Sequence, residues 1–466
     1  MDARSLSVVT ALWVLFTAVA GLSACSRDLR PDLTRLYADQ ANPAGQPPVV
    51  LIHGLLGGRL AEASSGREVW PGPLSRLMFD DYSDLTLPID PETLTPAPDG
   101  LIVTGLTDRA AGRDFYGQIL DVLEIAGGYE RSRPGEPAPT GRKRVYVFAY
   151  DWRQDIVGTV ARLDAFLEAI REDYDDPELK VDVVAHSMGG LLVRYYLRYG
   201  TADVLDDNDF PVTRAGAQRV RRVVLLGTPS LGSVSAAMGF LEGRKVGLGR
   251  MSQEMLATFP SGPQVLPHPI NDWLVLPDGR PLDRDLFDID FWRRFEFGIF
   301  DAGVRERVME RYPDPAEGEA YLDLLERYFE KHLERGRRFV WSLTVPVPDP
   351  EYRLIVFGGN CNLTPARLLV EESGGDSVLR LWPDRVKDRR PGIDYEALML
   401  EPGDGVVTKA SLLARQTLDP TIERHRYSDF PLDYAFFLCE AHDRLTGNIH
   451  FQDNLLHALL SVDYRR

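Results

Sequence analysis

The segment Val181-Asp182-Val183-Val184-Ala185-His186-Ser187-Met188-Gly189-Gly190 is the most informative part of the chain. Its apolar, β-branched run at Val181, Val183 and Val184 suits a buried strand and stops abruptly at a serine. Ala185 lies two residues before Ser187 and Gly189 two after, and Leu191 to Tyr199 continues with helical spacing. The order is strand, sharp turn, helix, with the serine at the turn. A side chain held there sits on strained backbone, clear of the sheet, with a helix N-terminus aimed at whatever bonds to it.

That pattern is the nucleophile elbow of an α/β-hydrolase with alanine in place of the first glycine, and Ser187 is the candidate nucleophile. The plainer reading, a buried Ser-Gly turn in a parallel sheet, leaves the small flanking residues without a purpose. On either side of that segment, strands are expected at Val49–Ile52, Val145–Ala149, Val223–Leu226, Tyr352–Phe357 and Tyr434–Cys439. Helices are expected at Tyr116–Ala126, Asp155–Tyr174 and Phe451–Leu460. Such alternation predicts an α/β fold with a mostly parallel sheet and helices on both faces. Between Ser233 and Pro350 the alternation stops, and a segment rich in Trp, Phe and charge carries a helix over Ala320–Glu334. We read it as a cap (233–350) inserted between two parts of the catalytic core, 48–232 and 351–466. Its aromatics, Trp273, Phe287, Phe291, Trp292, Phe295 and Phe297, have two readings: a surface for acyl chains or a bilayer, or the segment's own small core.

A serine hydroxyl is a poor nucleophile without a base, and the base needs an orienting acid. In this fold the chain order is Ser, then Asp or Glu, then His. His442 lies after the last strand and before the last helix, the place for the base, with His450 the alternative. Asp404 sits between Gly403 and Gly405 in a loop upstream and is the candidate acid, with Glu401 and Asp394 in reserve. The oxyanion of an acyl intermediate needs two amides, expected at Met188 and at Leu55 in the turn His53 to Gly58. His53 precedes the nucleophile, and in such a turn a histidine packs or bonds locally.

The chain has 466 residues and a formal charge of −17, which argues against nucleic acid and against docking through a basic patch on an anionic membrane. No repeat or low-complexity tract is visible. The histidines and acids lack ligand spacing, so no metal and no cofactor is expected. Residues 1–24 read as a signal peptide with an apolar run from Val8 to Gly21. Leu22-Ser23-Ala24-Cys25 resembles the bacterial lipobox, which implies lipidation of Cys25, a membrane anchor and an address in the cell envelope, with 25–47 as a tether. Outside the cytosol the remaining thiols, Cys361 and Cys439, form an even pair at the ends of two consecutive strands, and a disulfide is expected over two free thiols.

Several segments together resemble the lecithin:cholesterol acyltransferase family. They are PVVLIHGLLGGRL (Pro48 to Leu60), Trp70-Pro71, Gly128-Tyr129, AYDWR (Ala149 to Arg153), AHSMGG (Ala185 to Gly190) and LLGTPSLGS (Leu225 to Ser233). Thr364-Pro365-Ala366-Arg367, GDGVV (Gly403 to Val407) and His442 follow in the family's order. AHSMGG is common to many lipases; Tyr150-Asp151-Trp152-Arg153 is the specific part. His53 departs from the proline usual at that position. The resemblance implies a serine acyl hydrolase or acyltransferase on lipid esters. Two other classes stay open: a catalytically silent envelope lipoprotein that binds lipid or a partner, and a peptidase or amidase.

Overall fold

Seven strands pair side by side: β1 (Val49–Ile52), β2 (Glu130–Arg131), β3 (Arg144–Phe148), β4 (Val181–His186), β5 (Val220–Leu226), β6 (Arg353–Gly359) and β7 (Tyr434–Leu438). Their spatial order is β7-β6-β5-β4-β1-β3-β2, and every pairing is parallel. The computed structural model describes residues 30–40, 46–138, 142–347, 350–373, 376–414 and 431–461.

The strands read as unbroken apolar runs because each face of the sheet has its own core. Val50, Ile52, Val183, Ala185, Val223 and Leu225 point into one, while Val49, Leu51, Val184, Val224 and Leu226 point into the other. Helices α2 (Ile156–Tyr174) and α3 (Met188–Tyr199) cover the first face through Val160, Leu163, Leu191 and Leu192. Helices α1 (Gly117–Ile125) and α5 (Ile449–Leu460) cover the second through Ile119, Leu123, Leu455 and Leu459. This is the α/β-hydrolase architecture. Helix ends follow their caps. The Asp155 carboxylate accepts from the amides of Val157 and Gly158, and the Asn448 cap starts α5 at Ile449, two residues before Phe451, the expected first residue.

Between β5 and β6 the chain is mostly helical, and α4 (Pro315–Ser342) runs 28 residues from an Asp314 cap with proline at its first turn. The expected helix over Ala320–Glu334 was therefore too short at both ends. Trp273, Phe287, Phe291 and Trp292 are buried in the same core as the sheet, and Trp292 meets Phe329 at 5.2 Å between ring centres. These four pack into the core, shared with the sheet and not the segment's own, while Phe295 and Phe297 are half-buried against it. The stretch after β6 also joins this layer, since Leu368 and Leu369 pair with Leu274 and Val275. Cys361 and Cys439, past the ends of adjacent β6 and β7, form a disulfide with 5.0 Å between Cα atoms. Among the described residues no helix is long and apolar enough to cross a membrane.

Burial of histidines sets an acid limit on stability. Desolvation pushes the imidazoles of His53 and His332 down to about 4 and those of His186 and His268 to about 3. In the unfolded chain each binds a proton near pH ~6.5. Below that pH the unfolded state therefore holds more protons than the folded one, and stability falls as pH falls. Thermal melts are expected to show a lower Tm at pH 5 than at pH 7. An equal or higher Tm at pH 5 would contradict this.

Candidate active site

Strand β4 ends at His186, and Ser187 follows at φ 53°, ψ −126°, with Met188 opening α3. A non-glycine residue at positive φ costs roughly 1–3 kcal/mol, so the surroundings must enforce it. The Ser187 amide donates to Leu226 O of the neighbouring strand end at 2.8 Å. A Cβ on Gly189 would lie 2.3 Å from His53 O, and one on Gly190 would lie 2.0 Å from Thr228 Oγ1. Two adjacent turns thus press on the helix start, and only small residues fit after the serine.

The three residues expected to act together meet. Ser187 Oγ lies 3.0 Å from His442 Nε2, and His442 Nδ1 lies 2.8 Å from Asp404 Oδ2. His442 opens a short 3-10 turn after β7, and its amide donates to Asp404 O at 3.0 Å, so base and acid loops are joined through the backbone as well. Asp404 is buried, and its Oδ1 accepts from the amides of Val406 (2.9 Å) and Val407 (2.7 Å). Burial pulls its pKa up, but His442 and those two amides outweigh it and hold the carboxyl below its ordinary value. The reserves lie elsewhere: Glu401 pairs with Arg367 at 2.8 Å, Asp394 caps the helix Tyr395–Met399, and His450 is exposed on α5. Cys25 lies outside the described residues.

The turn after β1 is held by Tyr116, acting with His186, which the sequence did not single out, and by His53 and Tyr150–Arg153, which it did. Tyr116 Oη accepts from the Gly54 amide at 3.0 Å and donates to His186 Nδ1 at 2.8 Å. That leaves His186 Nε2–H facing His442 O at 3.3 Å, a chain from the turn to the base loop. His53 is fully buried, stacks on Tyr150 at 4.3 Å, accepts from the Tyr150 amide and donates to Gly54 O, so its role is local. Trp152 Nε1 donates to Gly58 O at 3.0 Å. Arg153, fully buried, bonds Asp151 through two nitrogens and Asp99 at 2.6 Å. The Tyr150–Arg153 tetrapeptide is thus the clamp on the turn that carries Leu55. With Gly54 tied to Tyr116 and Gly57 to Gly54 O, the Leu55 amide donates to no protein group among the described residues.

Ser187, His442, Leu55 and Met188 all border one cavity of about 670 Å³. Leu56, Trp70, Leu74, Val246 and Leu248 make much of its wall.

Residues 139–276 match the model of the family described as lecithin:cholesterol acyltransferase. That stretch is similar to the lecithin:cholesterol acyltransferase family. The lecithin:cholesterol acyltransferase-like stretch holds the Tyr150–Arg153 clamp, the elbow and the segment through Ser233. No curated protein sequence matches significantly. Among solved structures, the crystal structure of the Tle4–Tli4 complex aligns with a TM-score of 0.54 at 15% identity, over 90% of this chain and 98% of that one. The likeness is one of fold. EstA from Clostridium botulinum aligns at 13% identity with a TM-score of 0.36, over 90% of this chain and 88% of that one. The mature lipase BlEst2 of Bacillus licheniformis aligns at 13% identity with a TM-score of 0.33, over 91% and 97%.

Proposed function

We propose that this protein is a serine acyl hydrolase or O-acyltransferase acting on lipid esters. The observation that carries the reading is the line from Ser187 Oγ through His442 to Asp404 at 3.0 and 2.8 Å, bordering a largely apolar cavity. In the proposed reaction Ser187 Oγ attacks the ester carbonyl while His442 Nε2 takes its proton. The carbonyl oxygen becomes an oxyanion within reach of the Met188 and Leu55 amides. Collapse expels the alcohol, which takes the proton back from His442, and leaves an acyl-serine. Water or a second alcohol, deprotonated by the same imidazole, releases the acyl group. Asp404 keeps the Nδ1 proton of His442 in place throughout, so that Nε2 faces the serine as an acceptor.

The apolar wall of Leu55, Leu56, Trp70, Leu74, Val246 and Leu248 suits an acyl chain. The Cys361–Cys439 disulfide and the lipobox-like Leu22 to Cys25 support an envelope setting, with Cys25 lipidated as the anchor. The test is incubation with phospholipid vesicles, with and without an added alcohol, followed by mass analysis. Free fatty acid or an acylated alcohol, absent with Ser187→Ala, is the expected result. No acyl product from any lipid ester would overturn the reading.

A further inference from the structure

Arg244 stands at the base of a hairpin formed by Arg244–Val246 and Gly249–Met251, and it borders the cavity that holds Ser187. The hairpin turns at Gly247-Leu248, with Gly247 at φ 61°, the positive angle that a two-residue turn requires. Its base is fixed. Arg244 pairs with Met251, which is fully buried in the core, and Gly249 rests against Asp80 O. The guanidinium is half-buried, yet among the described residues it has no carboxylate or carbonyl acceptor. Arg307 and Arg311 of the same inserted segment make the contrast, since both pair with Glu254 at 2.8 Å.

A half-buried arginine with no anion beside it has lost part of its hydration without compensation, and it stays open to an anion that enters the cavity. Desolvation lowers the Arg244 pKa with no carboxylate acting in the other direction. Two further cations, Arg113 and Lys245, border the same cavity and, among the described residues, are also without ion-pair partners, against a single described carboxylate, Asp443. In a chain with a formal charge of −17, a cationic margin around the candidate nucleophile runs against the overall balance.

We propose that Arg244, supported by Arg113 and Lys245, forms an anion subsite beside Ser187 that recognises a phosphate or carboxylate group carried by the ester substrate. The planar guanidinium offers paired N–H donors that match either oxyanion bidentately, and the apolar wall next to it takes the acyl chain. The subsite rests on the acyl-ester reading above and narrows it to anionic lipids. Lys245 and Arg113 are exposed, so each acts through a screened field and contributes less than Arg244.

The test compares two soluble esters below their aggregation limit, dihexanoylglycerol and its 3-phosphate, and reads the ratio of their kcat/KM values. A ratio is independent of how much protein is folded. Arg244→Gln is expected to lower the phosphate-to-neutral ratio at least ten-fold, and Arg244→Lys to restore part of it. Lys245→Gln and Arg113→Gln are expected to lower it two- to three-fold. Competitive inhibition by inorganic phosphate that weakens in Arg244→Gln would support a subsite that also takes free phosphate. A fallen ratio without such inhibition would support recognition of the anion only as part of the lipid. A ratio within two-fold of wild type in Arg244→Gln would overturn the subsite. Hydrolysis of both esters by Ser187→Ala would instead overturn the acyl-enzyme reading, so the two failures are distinct.

Discussion

Ser187→Ala is expected to lower kcat/KM for a short-chain nitrophenyl ester by about 10⁴- to 10⁶-fold. Its Oγ lies 3.0 Å from His442 Nε2, and nothing else in the proposed reaction can form the acyl bond. The substitution removes one half-buried oxygen and leaves the backbone bond from the residue-187 amide to Leu226 O in place. The variant should therefore melt within a few degrees of wild type, which separates loss of chemistry from loss of fold. Activity within ten-fold of wild type in a folded Ser187→Ala protein would remove Ser187 from the mechanism.

Asp404→Asn is expected to cost about 10³- to 10⁴-fold in kcat while changing KM little, because it reverses the tautomer of the base. Asp404 Oδ1 accepts from the amides of Val406 and Val407, and an asparagine carbonyl would keep those two bonds. Its NH₂ would then face His442 Nδ1, which today sits 2.8 Å from Oδ2. Nδ1 would have to accept, the proton would move to Nε2, and Nε2 could no longer take the proton from Ser187. Raising the pH does not undo this, since the neutral ring itself is in the wrong tautomer. Rates measured from pH 6 to 9 should stay low throughout; a loss below ten-fold would contradict the role assigned to the carboxylate.

The elbow was legible because its constraints are local. A β-branched run, a serine and small residues on both sides can hardly serve another geometry, and Gly189 and Gly190 prove to be pressed by His53 O and Thr228 Oγ1. Asp404 and His442 were legible through chain order, which the parallel sheet imposes on the loops at its strand ends. The disulfide followed from β6 and β7 being neighbours. The chain of contacts from Gly54 through Tyr116 and His186 to His442 was not legible, because its members lie 62, 70 and 256 residues apart and no periodicity links them. Trp273, Phe291 and Trp292 were ambiguous for a different reason: an aromatic has the same composition signature in a core and on a lipid-facing surface. Burial decides between them, and here they are core. The hairpin at Arg244 to Met251 was missed because Arg-Lys-Val-Gly-Leu-Gly-Arg-Met shows no period-two apolar pattern.

A fluorophosphonate probe shows whether Ser187 is an activated nucleophile. Such a probe reacts with a serine hydroxyl only where a neighbouring base draws off the proton and the leaving group is accommodated. The protein should be treated folded, digested and mapped by mass. A single adduct on Ser187, absent from Ser187→Ala and strongly slowed in Asp404→Asn, is the predicted result. A folded protein that takes up no probe, or takes it up elsewhere, would contradict an activated Ser187 and favour a silent hydrolase-fold binder.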